Sequence, residues 1–401
     1  MLTVLFLSSV QAQNGTSSPL SIFGIGEYEM RDFGRTTGLG SVGIGLQSEN
    51  FLNRRNPAGL SKIDTLRFIL DVSAALKISN FFTTSVNAQN TDFNFKSLAI
   101  GVRLSKRWTT SVGLTPYSNV GYNIVAYDRI QGADEQIEIH FSGSGGVNKF
   151  YWANAFELFN GFSVGLTSSY IFGNYTHKEE KDIFSIEDSY NVNKLYFDFG
   201  AQYTHKIGAH TQVTVGGVYG QKAKMPIHHK RLITSGNYIE FNKRQPDNKK
   251  SFIPGSYGAG FSILRHQKDA ELIFAADYHY RNCSVDSSTY RKFTYSDSHT
   301  YSAGLQLTPY KRGSDSYLRV MRYQLGACYS QSYLKVNGYQ MKDYSVSVGV
   351  GLPFRNLSYV NVSVNLGESG TGQRGGVTER YVLFSVTMSL IERWFAKYQW
   401  D

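Results

Sequence analysis

Residues 381–390, Tyr-Val-Leu-Phe-Ser-Val-Thr-Met-Ser-Leu, put Val382, Phe384, Val386, Met388 and Leu390 on one side of an extended chain and Leu383, Ser385, Thr387 and Ser389 on the other. Successive side chains of a strand point to opposite faces, so this segment asks for an apolar surface on one side and a small or polar one on the other. The same alternation recurs along most of the chain in stretches of about ten residues, the length with which a tilted strand crosses a bilayer. The pattern predicts an all-β fold, a transmembrane antiparallel β-barrel with lipid outside and a watery lumen inside.

Composition narrows the alternatives. Tyr 28, Phe 26 and Gly 39 are high while Pro 8 and Cys 2 are low, a profile that suits a thin aromatic-girdled wall. No stretch approaches the roughly eighteen consecutive apolar residues of a spanning helix. The formal charge of +10 would point to nucleic acid in a soluble protein. In an exported barrel it points instead to anionic lipid headgroups and lipopolysaccharide, and no nucleic-acid partner is expected. Cys283 and Cys328 lie far from any lipidation position, and a disulfide between them is not the expectation.

The N-terminus reads as an address. Leu2-Thr-Val-Leu-Phe-Leu is a short apolar core and Val10-Gln-Ala12 a small-x-small cleavage site, so residues 1–12 are expected to be a signal peptide. Residues 13–64 do not alternate and are rich in glycine, as a hatch or plug folded inside a confined lumen would be. Residues 65–401 are expected to be the barrel. They divide into fourteen strands: Leu66–Leu76, Phe93–Leu104, Trp108–Pro116, Gln136–Leu158, Phe162–Phe172, Lys194–Lys206, His210–Gln221, Ser251–Leu264, Glu271–Arg281, Ser298–Pro309, Arg322–Ser332, Tyr344–Phe354, Leu357–Leu366 and the last strand from Tyr381. Long connections are expected at 121–134, 178–188, 223–249 and 335–342. Gly143-Ser-Gly-Gly146 is expected to interrupt its strand as a kink or as a bulge.

Ser21-Ile-Phe-Gly-Ile-Gly26, Arg35 within the glycine run, and Asn56-Pro-Ala-Gly-Leu60 just before the first strand resemble the hatch of the FadL-type family of outer-membrane transporters of hydrophobic compounds. Gly145-Gly-Val-Asn148 and Arg393-Trp-Phe395 resemble its Bacteroidetes branch. The chain departs from the pattern at its end, where Ala-Lys-Tyr-Gln-Trp-Asp401 follows the aromatic pair. The resemblance implies a bacterial outer-membrane location and passive uptake of a fatty-acid or aromatic type of molecule past the hatch, with exit sideways through the wall and no enzymatic step. A different class of function stays open: a barrel that transports nothing and serves as a subunit or docking platform of an outer-membrane secretion or assembly complex.

The candidate residues follow. Asn56, Pro57 and Ala58 form the hatch motif, with Asn56 able to bond a tight turn and Pro57 fixing its dihedral. Phe23, Ile25 and Phe51, with Arg35 or Arg54 for a carboxylate, are candidate ligand contacts. Asp277, His279 and Arg281 share one strand face and are expected to form a polar network in the lumen. No cofactor or metal is expected: His228-His229 point apart on an extended backbone, and Gly38-Leu-Gly-Ser-Val-Gly43 lacks the strand and helix that a dinucleotide fingerprint needs. The basic stretch 223–249 suits lipopolysaccharide phosphates or an amphipathic anion.

Overall fold

The computed structural model describes residues 18–29, 31–65, 67–83, 87–129, 136–236, 238–244, 251–284, 293–309, 317–355, 357–373 and 376–393. The expected signal peptide, residues 13–17 and Trp394-Phe395 lie outside the described residues.

Fourteen antiparallel strands close into a barrel, and four shorter segments join the same sheet. The wall runs β1 (Arg67–Phe82), β2 (Asn87–Arg103), β3 (Trp108–Arg129), β4 (Gln136–Phe159), β5 (Phe162–Lys181), β6 (Phe184–Ile207), β7 (Thr211–Gly220), β8 (Gly255–His266), β9 (Ala270–Asn282), β10 (Ser298–Pro309), β11 (Arg322–Val336), β12 (Tyr339–Arg355), β13 (Ser358–Gly370) and β14 (Thr378–Arg393). β14 pairs with β1 from Arg67 opposite Arg393 to Phe82 opposite Thr378, which completes the ring. A closed sheet leaves no edge in hydrocarbon, where an unpaired backbone group would have no water to turn to.

The alternation sorts the faces as expected. Phe384, Val386 and Met388 are 40%, 47% and 40% exposed on the outside, while Ser385, Thr387 and Ser389 are buried toward the lumen. On β1, Ile69, Asp71 and Ser73 face in and Val72 faces out. Outward tyrosines stack from strand to strand, with ring centroids 5.1 Å apart for Tyr278 and Tyr301, 6.1 Å for Tyr301 and Tyr329, and 4.9 Å for Tyr329 and Tyr344. Such a row is one arc of an aromatic girdle. The Asn160-Gly161 turn is present, with Gly161 at φ +85°.

Four expected connections are corrected. β3 continues through the predicted loop to Arg129, the 178–188 stretch is the top of a β5–β6 hairpin turning at Asp182-Ile183, and 335–342 is a two-residue turn at Asn337-Gly338. Within 223–249, Ile227–Ser235 pairs with the upper half of β6 and with Tyr238–Arg244. Together these build a blade that rises from one side of the barrel. β4 and β6 each have 24 residues, more than twice what a bilayer crossing needs, whereas β7 has 10.

Gly143–Gly146 does not break β4 either. Gly143 pairs with Tyr122 on one side and His177 on the other. A Cβ there would lie 2.1 Å from the Tyr122 ring, so the glycine makes room for that side chain. The pairing is broken elsewhere. β2 and β3 are joined only from Leu98 opposite Leu114 to Arg103 opposite Thr109. Above that point, among the described residues, the two strands are not paired to each other. At this seam the upper part of β2 stands without β3 as a neighbour.

Candidate functional site

Residues 18–29 and 31–65 lie against the lumenal face of the wall and run up into the seam. Glycine decides how close they come. Gly38 approaches Gly349, Gly40 approaches Gly326 and Ala327, and the Ile44 carbonyl sits over Gly216, so closely that a Cβ on these wall glycines would meet segment atoms within 3 Å. Pro57 and Ala58 sit over Gly165 in the same way, and Asn56 over Gly200. Backbone laid on backbone brings the polar groups of both within bonding distance, and each then needs a partner.

Those partners come from strands around the ring. Gly43 and Ile44 donate their amides to Asp277 Oδ2 at 2.6 and 2.9 Å. Gln202 Nε2 donates to the Ile44 carbonyl at 2.7 Å, and Ser262 Oγ to that of Gly45 at 2.7 Å. Ser347 Oγ accepts from the Gly40 amide at 3.0 Å and donates to the Gly38 carbonyl at 3.1 Å. Asn56 is the most heavily used. Its oxygen accepts from the Ala58 amide at 3.1 Å and caps the 3₁₀ turn Pro57–Lys62, while its Nδ2 donates to Ile44 at 2.9 Å and Ala201 at 3.1 Å. Pro57 and Ala58 are buried beside it.

At the seam the segment takes the place of the missing wall partner. Glu27 and Tyr28 pair with Asn119 and Ser118 on the free edge of β3. The Glu29 amide donates to the Tyr117 carbonyl at 3.0 Å, Ser118 Oγ donates to Ile25 at 2.7 Å, and the Ser18 amide donates to Gly121 at 3.0 Å. Across the gap, Lys96 is the extra residue of a bulge in β2, and its ammonium reaches Glu29 at 2.7 Å. Burial holds the Glu27 carboxyl above its ordinary range, against the pull of Lys77. Arg31 closes this side of the segment with Asp343 at 2.7 Å and with the Tyr381 hydroxyl.

The proposed ligand contacts do not converge. Phe23 packs with Tyr333, Leu334 and Met341, and Ile25 with Val120, Val147 and Tyr175. Phe51 is buried under Arg35, whose guanidinium lies 5.8 Å from the ring centroid and donates to Ser48 and Gln306. Burial pushes the Arg35 guanidinium below its ordinary value, Glu271 pulling the other way. Arg54 is paired with Asp32 at 3.3 Å and bonded to Ser97 at 2.5 Å. Asp277, His279 and Arg281 do share the lumenal face, where Asp277 holds the segment and His279 and Arg281 line a cavity. His229 and Arg231 both bond Asp188, so Arg231 is not left to lipid phosphates. Cys283 and Cys328 are free thiols.

Two cavities lie between segment and wall among the described residues. One of about 170 Å³ lies behind the seam and is lined by Glu27, Glu29, Arg31, Lys77, Lys96 and Glu379 among apolar side chains. The other, of about 200 Å³, shares Tyr28, Glu29, Arg31 and Phe33 with the first and reaches Lys149, Asp198 and Arg281 of the wall. Sequence reasoning missed the inward wall glycines and the seam, although the glycines were visible as lumen-facing positions of the alternation.

Solved structures share this fold. A Pseudomonas aeruginosa FadL homologue is 12% identical with a TM-score of 0.56, covering 90% of this chain and 99% of its own. The Ralstonia pickettii toluene transporter TbuX is 13% identical with a TM-score of 0.55, covering 91% and 98%. The Pseudomonas putida toluene transporter TodX is 11% identical with a TM-score of 0.57, covering 92% and 99%. Comparison with curated protein sequences gives no significant match. The barrel is thus a FadL-like barrel of the bacterial outer membrane, and the family model BamG matches residues 1–401, so that this chain belongs to the BamG family.

Proposed function

We propose that this protein is a permanently plugged outer-membrane barrel that serves as a fixed subunit or docking platform of an outer-membrane assembly or secretion complex. The carrying observation is the fastening of residues 18–65 to strands on every side of the lumen, together with the small, charge-lined cavities that this leaves. Both cavities are below the roughly 300 Å³ at which small-molecule pockets begin, and the one behind the seam sets Glu27, Glu29, Arg31, Lys77, Lys96 and Glu379 among its apolar side chains, where a greasy cargo would have to lie against charges. The family match supports the same reading, since it spans residues 1–401 while the channels share the fold at 11–13% identity. A platform also needs an exposed surface. The blade supplies one where Ile183, Phe184, Tyr238 and Ile239 stand 50–78% exposed on adjacent hairpin tips. Contiguous exposed apolar side chains of this kind mark protein contacts.

Uptake of a hydrophobic molecule, the function the FadL-type resemblance implies, has one specific observation in its favour: the unpaired seam between β2 and β3 is where a sideways exit would have to open. Extraction of the native protein in mild detergent separates the two. The platform reading expects stoichiometric protein partners that are lost when Tyr238 and Ile239 are changed to Ser, and no retained fatty acid by mass spectrometry. Retained long-chain lipid that disappears in Arg54→Ala, with no stable partner, would replace the platform with a transporter.

A further inference from the structure

The cavity of about 200 Å³ has an unbalanced charge. Among its lining residues, Arg31 is matched by Asp343 at 2.7 Å, Arg54 by Asp32 at 3.3 Å, and Glu29 by Lys96 at 2.7 Å. That leaves Lys149 of β4 and Arg281 of β9, which line the cavity from separate strands of the wall and form no ion pair among the described residues. Asp198 of β6 is the only carboxylate left for both, and it already accepts a hydrogen bond from Tyr196. The surplus is one positive charge even with Arg55, a further lining residue, left out.

We infer that this cavity binds a small oxyanion, of the phosphate or short-chain carboxylate class, between Lys149 and Arg281. Two like charges facing one partly buried space repel each other, and water screens them less there than at an open surface; an anion between them converts the repulsion into two charge-assisted contacts. The guanidinium offers a planar fork and the ammonium a compact point charge, a pair of donors suited to oxygen anions. Tyr117, Tyr151 and Tyr196 add polar edges to the wall of the site. One margin is shaped by Gly220, where a Cβ would lie 2.5 Å from the Tyr196 hydroxyl and 2.8 Å from Asp198 Oδ1. A volume of about 200 Å³ accepts a phosphate. The site requires neither transport nor a protein partner.

The test uses the full-length protein in a non-ionic detergent, with inorganic phosphate as probe and chloride at matched ionic strength as control. Phosphate should raise the temperature at which the folded, unboiled band is lost, and titration calorimetry should give a saturable isotherm. Lys149→Met and Arg281→Met should each weaken binding by about tenfold or more, the loss of one charged hydrogen-bond partner. Asp198→Asn acts in the opposite direction: removing the competing carboxylate should tighten phosphate binding, which keeps the inference exposed should either methionine variant fail to fold. Native mass spectrometry of the same sample distinguishes free phosphate from a lipid-borne phosphate in the site. Equal responses to phosphate and chloride, or an isotherm unchanged or weakened in Asp198→Asn, would overturn the inference.

Discussion

Phe384 and Ser385 are chain neighbours with opposite surroundings, and the difference can be measured. Phe384 and Val386 meet lipid, whereas Ser385 is buried toward the lumen. An arginine at Phe384 or Val386 must be placed in hydrocarbon, at roughly 2–4 kcal/mol near the midplane, while at Ser385 it needs only room in a polar interior. Urea unfolding from lipid vesicles should therefore show a larger loss for Phe384→Arg and Val386→Arg than for Ser385→Arg, and equal losses would mean the register is wrong. Residue-scale facts of this kind were legible because one alternating pattern carries them. The pairing of Asn56 with Ile44 and Ala201 was not, because it depends on which carbonyls the folded segment brings near, and residue type alone cannot say that.

Whole strands were legible only where the two faces meet different solvents. Within the bilayer zone the expected strands and the observed ones coincide to within a few residues, as with Ser298–Pro309. Above it both faces are wet, alternation has nothing to enforce it, and Lys178, Glu180, Glu187 and Lys230 read as loop although they lie on paired strands. The Gly143–Gly146 stretch misled for a related reason: a glycine that accommodates a neighbour's ring looks the same in sequence as one that breaks a strand. The seam escaped notice altogether, since the sequence places Asn87–Asp92 in a connection, and nothing in Phe93–Lys96 shows that its strand has a partner on one side only. Its sealing by Glu27 and Tyr28 leads to a prediction for this element. Tyr28 and Ser118 are register partners, so Tyr28→Cys with Ser118→Cys should oxidise to a cross-link that ties the segment to β3. A fixed plug predicts unchanged partner recovery and unchanged growth with the link formed. Growth defects that vanish on reduction would show that the segment has to move.

A fourteen-stranded ring is too wide for its own side chains to fill, so what occupies the lumen decides what the molecule does. Here the occupant is the N-terminal segment, held by a trough of wall glycines, by Asp277, Gln202, Ser262 and Ser347 from within, and by Lys96 and Ser118 at the seam. Deleting residues 21–50 removes most of these contacts but leaves every wall strand and its pairing in place. The barrel should still assemble and migrate as a folded species before boiling, and cells carrying it should admit small polar antibiotics that the intact protein excludes. Pro57→Gly frees one dihedral next to Asn56 while every hydrogen bond stays available, so its effect on permeability should have the same sign and be smaller. If the deletion variant reaches the outer membrane folded and permeability does not rise, residues 21–50 are not what closes the lumen, and the plugged platform loses its main support.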